Sequence, residues 1–176
     1  LMAERNPDVK ILFVGAERGL EKDLIPKAGY AFRTVHISSF HRSFKPAEIR
    51  HNLVSLYNMI RSPAEARAIL REFRPQVVIG TGGYASYPTV KAAAGMGIPT
   101  AVHESNAVPG LTTELLEPHA GRIMVGFESC RKHYKHPEKV TVTGTPVRED
   151  FFALTKEQAK EKLGVHDGRP LVVSFW

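Results

Sequence analysis

Three short polar runs in this chain carry residue types that could do chemistry, and each follows an apolar run. The first is Gly80-Thr81-Gly82-Gly83-Tyr84, directly after Val77-Val78-Ile79. Glycines at the end of a strand let backbone N–H groups converge without a Cβ in the way. A helix that starts next adds the positive end of its dipole at the same place. Phosphate or diphosphate is the natural guest of such a nest, and a tight strand-to-helix turn that binds nothing is the competing reading. The run is neither the dinucleotide fingerprint G-x-G-x-x-G nor a Walker A loop.

The second run is His103-Glu104-Ser105-Asn106, continuing through Pro109-Gly110-Leu111-Thr112. It follows the apolar run 98–102, so it falls on the same rim as the glycine loop. Its residues are of the kind that serve as bases, orienters and hydrogen-bonding groups at a site. The competing reading is a loop network, with Glu104 or Asn106 satisfying free N–H groups at a helix start near Pro109. The third run, Gly144-Thr145-Pro146-Val147-Arg148, ends in a guanidinium that could grip a ligand phosphate or simply be solvated. Cys130, His133 and His136 are spaced near a helical repeat, but no fourth ligand has a recognisable spacing, so no metal site is expected.

Leu53, Tyr57 and Ile60 recur at helical spacing, with Arg42, Lys45, Arg50 and Arg61 nearby. Such a stripe either packs in the core or docks on an anionic membrane.

The elements that must position these runs alternate between strand and helix. Strands are expected over 9–15, 31–37, 76–80, 98–103, 121–125 and 139–143. Helices are expected over 20–28, 46–73, 86–96, 110–119 and 127–134. Ser62-Pro63-Ala64-Glu65 has the pattern of a capping box with proline at the first helical position, so a new helix is expected to start there. The strands are apolar without clean alternation, which predicts a parallel α/β sheet with helices on both faces. Near the end, Thr155-Lys156-Glu157-Gln158 reads as a helix cap, with the helix closing at Gly164 and a strand over 171–176. Residues 1–7 read as the last turns of a helix. Both ends look cut, with a second α/β domain opening near the C-terminus.

The chain has 176 residues, of which 43% are hydrophobic, enough for one well-packed domain and the start of another. No run approaches the roughly 18 apolar residues of a membrane span, and no signal peptide is visible. One cysteine excludes an internal disulfide. A net charge of +6 favours an anionic partner. No helix-turn-helix or aromatic-basic RNA signature makes that partner a nucleic acid.

Taken in order and at their separations, these runs, with Gly15-Ala16-Glu17-Arg18-Gly19-Leu20-Glu21, closely resemble the MurG family of bacterial peptidoglycan N-acetylglucosaminyltransferases. The resemblance covers nearly the whole chain. It implies one half of a two-domain GT-B fold of Rossmann-like sheets, with 1–148 as the N-terminal, acceptor-side domain and 149–176 as the start of the donor-side domain. It implies inverting transfer of N-acetylglucosamine from UDP-N-acetylglucosamine to lipid I, giving lipid II, with no cofactor or metal. It implies a peripheral location on the cytoplasmic face of the bacterial cell membrane. Thr81, Gly82, Gly83 and Tyr84 would face the acceptor diphosphate. Asn106 and Arg148 would contact the donor, and Glu104 would be a catalytic base or orienter of the acceptor hydroxyl. Leu53, Tyr57 and Ile60 would touch the membrane.

The sequence departs from the family pattern at Ser105 (usually glutamine), Thr113-Glu114 (usually asparagine-lysine) and Thr145 (usually asparagine). The family's first glycine loop would precede Leu1 and its uracil-contacting loop would follow Trp176, so the chain as given is expected not to turn over alone. A diacylglycerol sugar transferase, a UDP-sugar epimerase of similar architecture and a binding module are the alternatives.

Overall fold

A computed structural model of the chain describes residues 5–17, 19–37, 61–147, 149–165 and 172. Its contacts divide it into two units, Leu1–Gly144 and Thr145–Trp176.

The first unit holds two parallel sheets. Strands β1 (Leu12–Ala16) and β2 (Ala31–Val35) pair in parallel, Leu12 against Ala31 through Ala16 against Val35. Helix α1 (Glu21–Lys27) makes the crossover between them. A second helix, α2, occupies residues 61–73. The second sheet has the order β3 (Val78–Gly80), β4 (Thr100–Glu104), β5 (Arg122–Val125) and β6 (Val140–Val142), with every neighbour parallel. Helix α3 (Ser86–Gly95) joins β3 to β4, and helix α4 (Leu111–Leu116) with the 3-10 turn Glu117–His119 joins β4 to β5.

The central strands lack alternation because they are covered on both faces. In β4, Thr100, Val102, His103 and Glu104 are all buried. α3 lies close to the sheet because its inner face is small: Ala92 and Ala93 are fully buried, beside Val90. Gly80 makes that approach possible, since a Cβ there would meet Val90 Cγ2 at 2.8 Å. Between β1 and β3 lies an apolar cavity of about 390 Å³, lined by Phe13, Val14, Ile69, Val77 and Ile79 among others. Among the described residues, no strand pairs with the edges of β1 and β3 that line it.

Three expectations change. Ser62 does not cap the helix expected to start there: Arg61 and Ser62 are themselves helical. Ser62 is fully buried and its Oγ has no partner among the described residues. The Glu65 carboxylate turns to His36 instead, accepting from its backbone N–H at 2.9 Å. The expected helix over 127–134 is a 3-10 segment, Glu128–His133. Arg131 fixes that tight winding by bonding Glu128, Pro137 O and Val140 O. The helix expected over 110–119 loses its α-helical winding after Leu116, next to Pro118.

In the second unit, a 3-10 turn (Glu149–Phe152) precedes helix α5 (Lys156–Lys162), whose N-terminus carries the expected capping box. Gln158 N–H donates to Thr155 Oγ1 at 3.2 Å and Thr155 N–H donates to Gln158 Oε1 at 2.9 Å. The strand expected over 171–176 lies outside the described residues apart from Val172. The expected helical stretch 46–60 lies outside them entirely.

Candidate functional site

The loops after β3 and β4 leave the carboxyl ends of adjacent parallel strands, the place where open α/β sheets bind ligands. Glu104, the last residue of β4, is only 3% exposed. A buried carboxylate needs partners, and three residues of the loop and α4 supply four donors. Its Oε1 accepts from the Asn106 backbone N–H at 2.9 Å and from Asn106 Nδ2 at 2.7 Å. Its Oε2 accepts from the Gly110 N–H at 2.9 Å and from Thr113 Oγ1 at 2.8 Å. Burial alone raises the pKa of Glu104, but the Gly110 and Asn106 N–H groups and the Thr113 and Asn106 side chains outweigh it. The net result holds the group below the ordinary value of 4.5. The carboxylate is therefore ionised, and both oxygens are already engaged.

Asn106 is exposed, with its side-chain N–H₂ turned inward to Glu104. His103 is nearly buried, and its Nε2–H donates to the Gly144 carbonyl at 3.0 Å, which ties the end of β4 to the segment after β6. The Gly126 N–H donates to the Glu104 carbonyl at 2.9 Å, so the backbone of the same residue holds the turn after β5.

The glycine loop sits against this network. Gly82 has φ of +88°, a conformation that favours glycine. A Cβ there would lie 3.4 Å from the His103 carbonyl and 3.6 Å from Thr113 Oγ1. The Thr81 N–H is bonded to Ser86 Oγ at 3.2 Å. Among the described residues, the N–H groups of Gly82, Gly83 and Tyr84 have no protein acceptor. These donors, at the start of the ten-residue helix α3, suit an anion. Gly83 has open space around its Cα and no positive φ, so only Gly82 is dictated by backbone geometry.

The structure thus brings Thr81, Gly82, Gly83 and Tyr84 to one rim with Glu104 and Asn106. Arg148, Leu53, Tyr57 and Ile60 lie outside the described residues. Among the described residues, no three His, Cys, Asp or Glu side chains gather to hold a metal ion. Cys130 is fully buried in the core and burial raises its pKa. No helix among the described residues is long and apolar enough to cross a membrane.

Thr113 is a site residue that sequence reasoning missed. It is fully buried and touches both loops, yet in sequence it is one hydroxyl inside a short helix. The signal was its place among the departures from the family pattern. A second missed cluster joins the first sheet to α2: His36 Nδ1 lies 3.1 Å from Glu65 and its Nε2 lies 3.5 Å from Glu17. These partners are too far apart in sequence for spacing to reveal them.

Comparison with known proteins gives a consistent picture. Residues 2–125 match the glycosyltransferase family 28 N-terminal domain. Over 167 residues the chain is 44% identical to the UDP-N-acetylglucosamine--N-acetylmuramyl-(pentapeptide) pyrophosphoryl-undecaprenol N-acetylglucosamine transferase of Caldanaerobacter subterraneus subsp. tengcongensis, covering 95% of this chain and 45% of that protein. The transferase of the same name from Thermoanaerobacter sp. is 41% identical over 174 residues, covering 99% of this chain and 46% of that protein. The chain therefore spans about half the length of the curated relatives it matches. Among solved structures, MurG of Acinetobacter baumannii is similar, with a TM-score of 0.63 at 21% identity over 84% of this chain and 40% of that one. That similarity is one of fold.

Proposed function

The chain belongs to glycosyltransferase family 28, and we propose that the whole protein transfers N-acetylglucosamine from UDP-N-acetylglucosamine to lipid I, forming lipid II. The observation that carries this reading is the junction of two loops. An amide-lined turn at 81–84 packs against the Glu104–Thr113 network, at the carboxyl rim of one parallel sheet. The names of the 44% and 41% identical relatives supply the reaction.

The reaction is an inverting displacement. The 4-hydroxyl of the acceptor attacks the anomeric carbon and gives its proton to a general base, the bond to the diphosphate breaks, and uridine diphosphate leaves with the electron pair. The N–H groups of Gly82, Gly83 and Tyr84 hold the acceptor diphosphate, aided by the start of α3. Asn106 orients the sugar beside them. Arg148 is assigned to the donor on the family resemblance. Glu104 acts through the loop it holds, because its two oxygens are bonded within the protein. Leu53, Tyr57 and Ile60 are assigned to an anionic membrane surface on the cytoplasmic face, where lipid I is met. Residues 1–148 form the acceptor-side domain and 149–176 open the donor-side domain.

The test is transfer of labelled N-acetylglucosamine by the full-length protein to a short-chain lipid I analogue, with diacylglycerol and acceptor-free controls. Transfer to the lipid I analogue alone supports the reading. Transfer to diacylglycerol, or donor turnover with no acceptor, would replace it with a different lipid transferase or an epimerase.

A further inference from the structure

The Glu104 network decides more than loop shape. An asparagine side chain can turn either its N–H₂ or its carbonyl toward a neighbour, and the two are told apart only by what they face. Asn106 Nδ2 lies 2.7 Å from Glu104 Oε1, and the Asn106 backbone N–H reaches the same oxygen at 2.9 Å. An ionised carboxylate has acceptors only, so the amide nitrogen must face it. A flipped Asn106 would set its own carbonyl oxygen against a buried negative charge. The carboxylate cannot turn away, because Gly110 and Thr113 hold its other oxygen at 2.9 and 2.8 Å.

We propose that Glu104 is a positioning residue that fixes the polarity of Asn106, so that Asn106 meets its ligand through Oδ1 as a hydrogen-bond acceptor. Oδ1 then reads a hydroxyl or N–H donor, as on a sugar, while the second Nδ2–H remains a donor. Two neighbouring loops thereby present opposite chemistry. The turn at 81–84 offers N–H donors to an anion, and Asn106 offers an acceptor to a neutral donor. This deepens the transferase reading and rests on it for the sugar. The polarity of Asn106 itself is testable without any transfer.

The experiment is nitrogen-labelled NMR of the full-length protein, following the Asn106 side-chain amide. In the wild type, one of its protons is expected to be shifted downfield and protected from exchange by the carboxylate. That signature should collapse as Glu104 is protonated, below pH 4.5. Burial raises the pKa values of Cys130 and Tyr134, so neither titrates in acid. Glu104→Ala should raise exchange of the Asn106 side-chain amide by about tenfold or more, the usual worth of one charge-assisted hydrogen bond. Thr113→Val removes one bond from the other oxygen, so it should lower stability and leave the Asn106 signature in place. Adding inorganic diphosphate should move the N–H resonances of 82–84 and not the Asn106 side-chain amide. An Asn106 amide that is indifferent to the titration, which needs no variant to fold, would overturn the proposal. So would loss of the downfield, protected Asn106 proton when diphosphate is added. Failure of the transfer assay alone would leave the polarity result standing.

Discussion

The two parallel sheets of the first unit are built from the same strand-helix-strand unit, yet they keep water out to very different degrees. In the four-stranded sheet, Val102, Ile123 and Val125 are fully buried, and Leu116 and Ala92 close over them. In the two-stranded sheet only Gly15, Ala16 and Val35 are buried, and α1 has no buried residue at all. Phe13 remains 39% exposed, and Leu20 and Leu24 of the α1 region are 78% and 58% exposed. The difference comes from what covers each strand. β4 lies between two paired strands under α3 and α4, whereas β1, among the described residues, has one paired neighbour and faces the cavity on the other side. The candidate site is built on the rigid half. Its loops leave β3 and β4, and a site whose groups must stay fixed gains from a frame that does not breathe.

The largest effect should separate the halves directly. Leu116→Ala empties a fully buried position and should cost about 2–5 kcal/mol in urea unfolding. Leu24→Ala, on the exposed helix, should stay within about 0.5 kcal/mol. Equal losses would break the contrast.

Gly80→Ala should cost about 1–3 kcal/mol, because the new Cβ would sit 2.8 Å from Val90 Cγ2 in a wall that cannot yield. Gly15→Ala meets the partly exposed Phe32 ring at 2.9 Å and the Glu21 side chain at 3.0 Å, which can move, so it should cost less. The same urea titrations rank the two.

Acid sharpens the comparison through one carboxylate in each half. Glu104 and Glu65 both have folded-state pKa values below 4.5, so the unfolded chain takes up their protons first. Each contributes stability that is complete above that value and is lost as pH falls through the folded one. Glu104 has four donors in a buried setting and Glu65 bonds a mostly exposed His36. Glu104→Ala should therefore flatten the acid limb of the melting temperature more than Glu65→Ala. The reverse order in thermal melts from pH 6 to pH 3 would contradict the ranking.

The smallest expected effect is local. Amides of β4 and β5 should exchange only with global unfolding, while β1 and β2 exchange through lower-energy openings. Hydrogen exchange by mass spectrometry reads both at once.

Much of this was legible in the sequence where a local rule sufficed. The parallel α/β class followed from strands that lack alternation, and β4, buried at four of its five residues, shows why. The Thr155 capping box was readable because its partners lie three residues apart. The same pattern misled at Ser62, which is itself helical, and the distant His36 takes the Glu65 carboxylate that would have closed the box. At the site, the two loops and Glu104 were visible as types and order. The roles were not, because Glu104 is defined by Gly110 and Thr113, six and nine residues on, and by burial that no spacing reveals. Of the two readings of this run, the loop network is the one on view: the carboxylate is spent on the loop that carries Asn106.

The most direct test is the pH dependence of kcat/KM for the full-length protein, wild type against Glu104→Gln, with UDP-N-acetylglucosamine and a lipid I analogue. If Glu104 positions, the variant is slower on the plateau, by about ten- to a hundredfold, and an acidic limb with its midpoint above pH 4.5 is unchanged, since protonation of Glu104 itself falls below that value. If that limb disappears in the variant, Glu104 is the base, and the account of a carboxylate spent on its own loop is wrong.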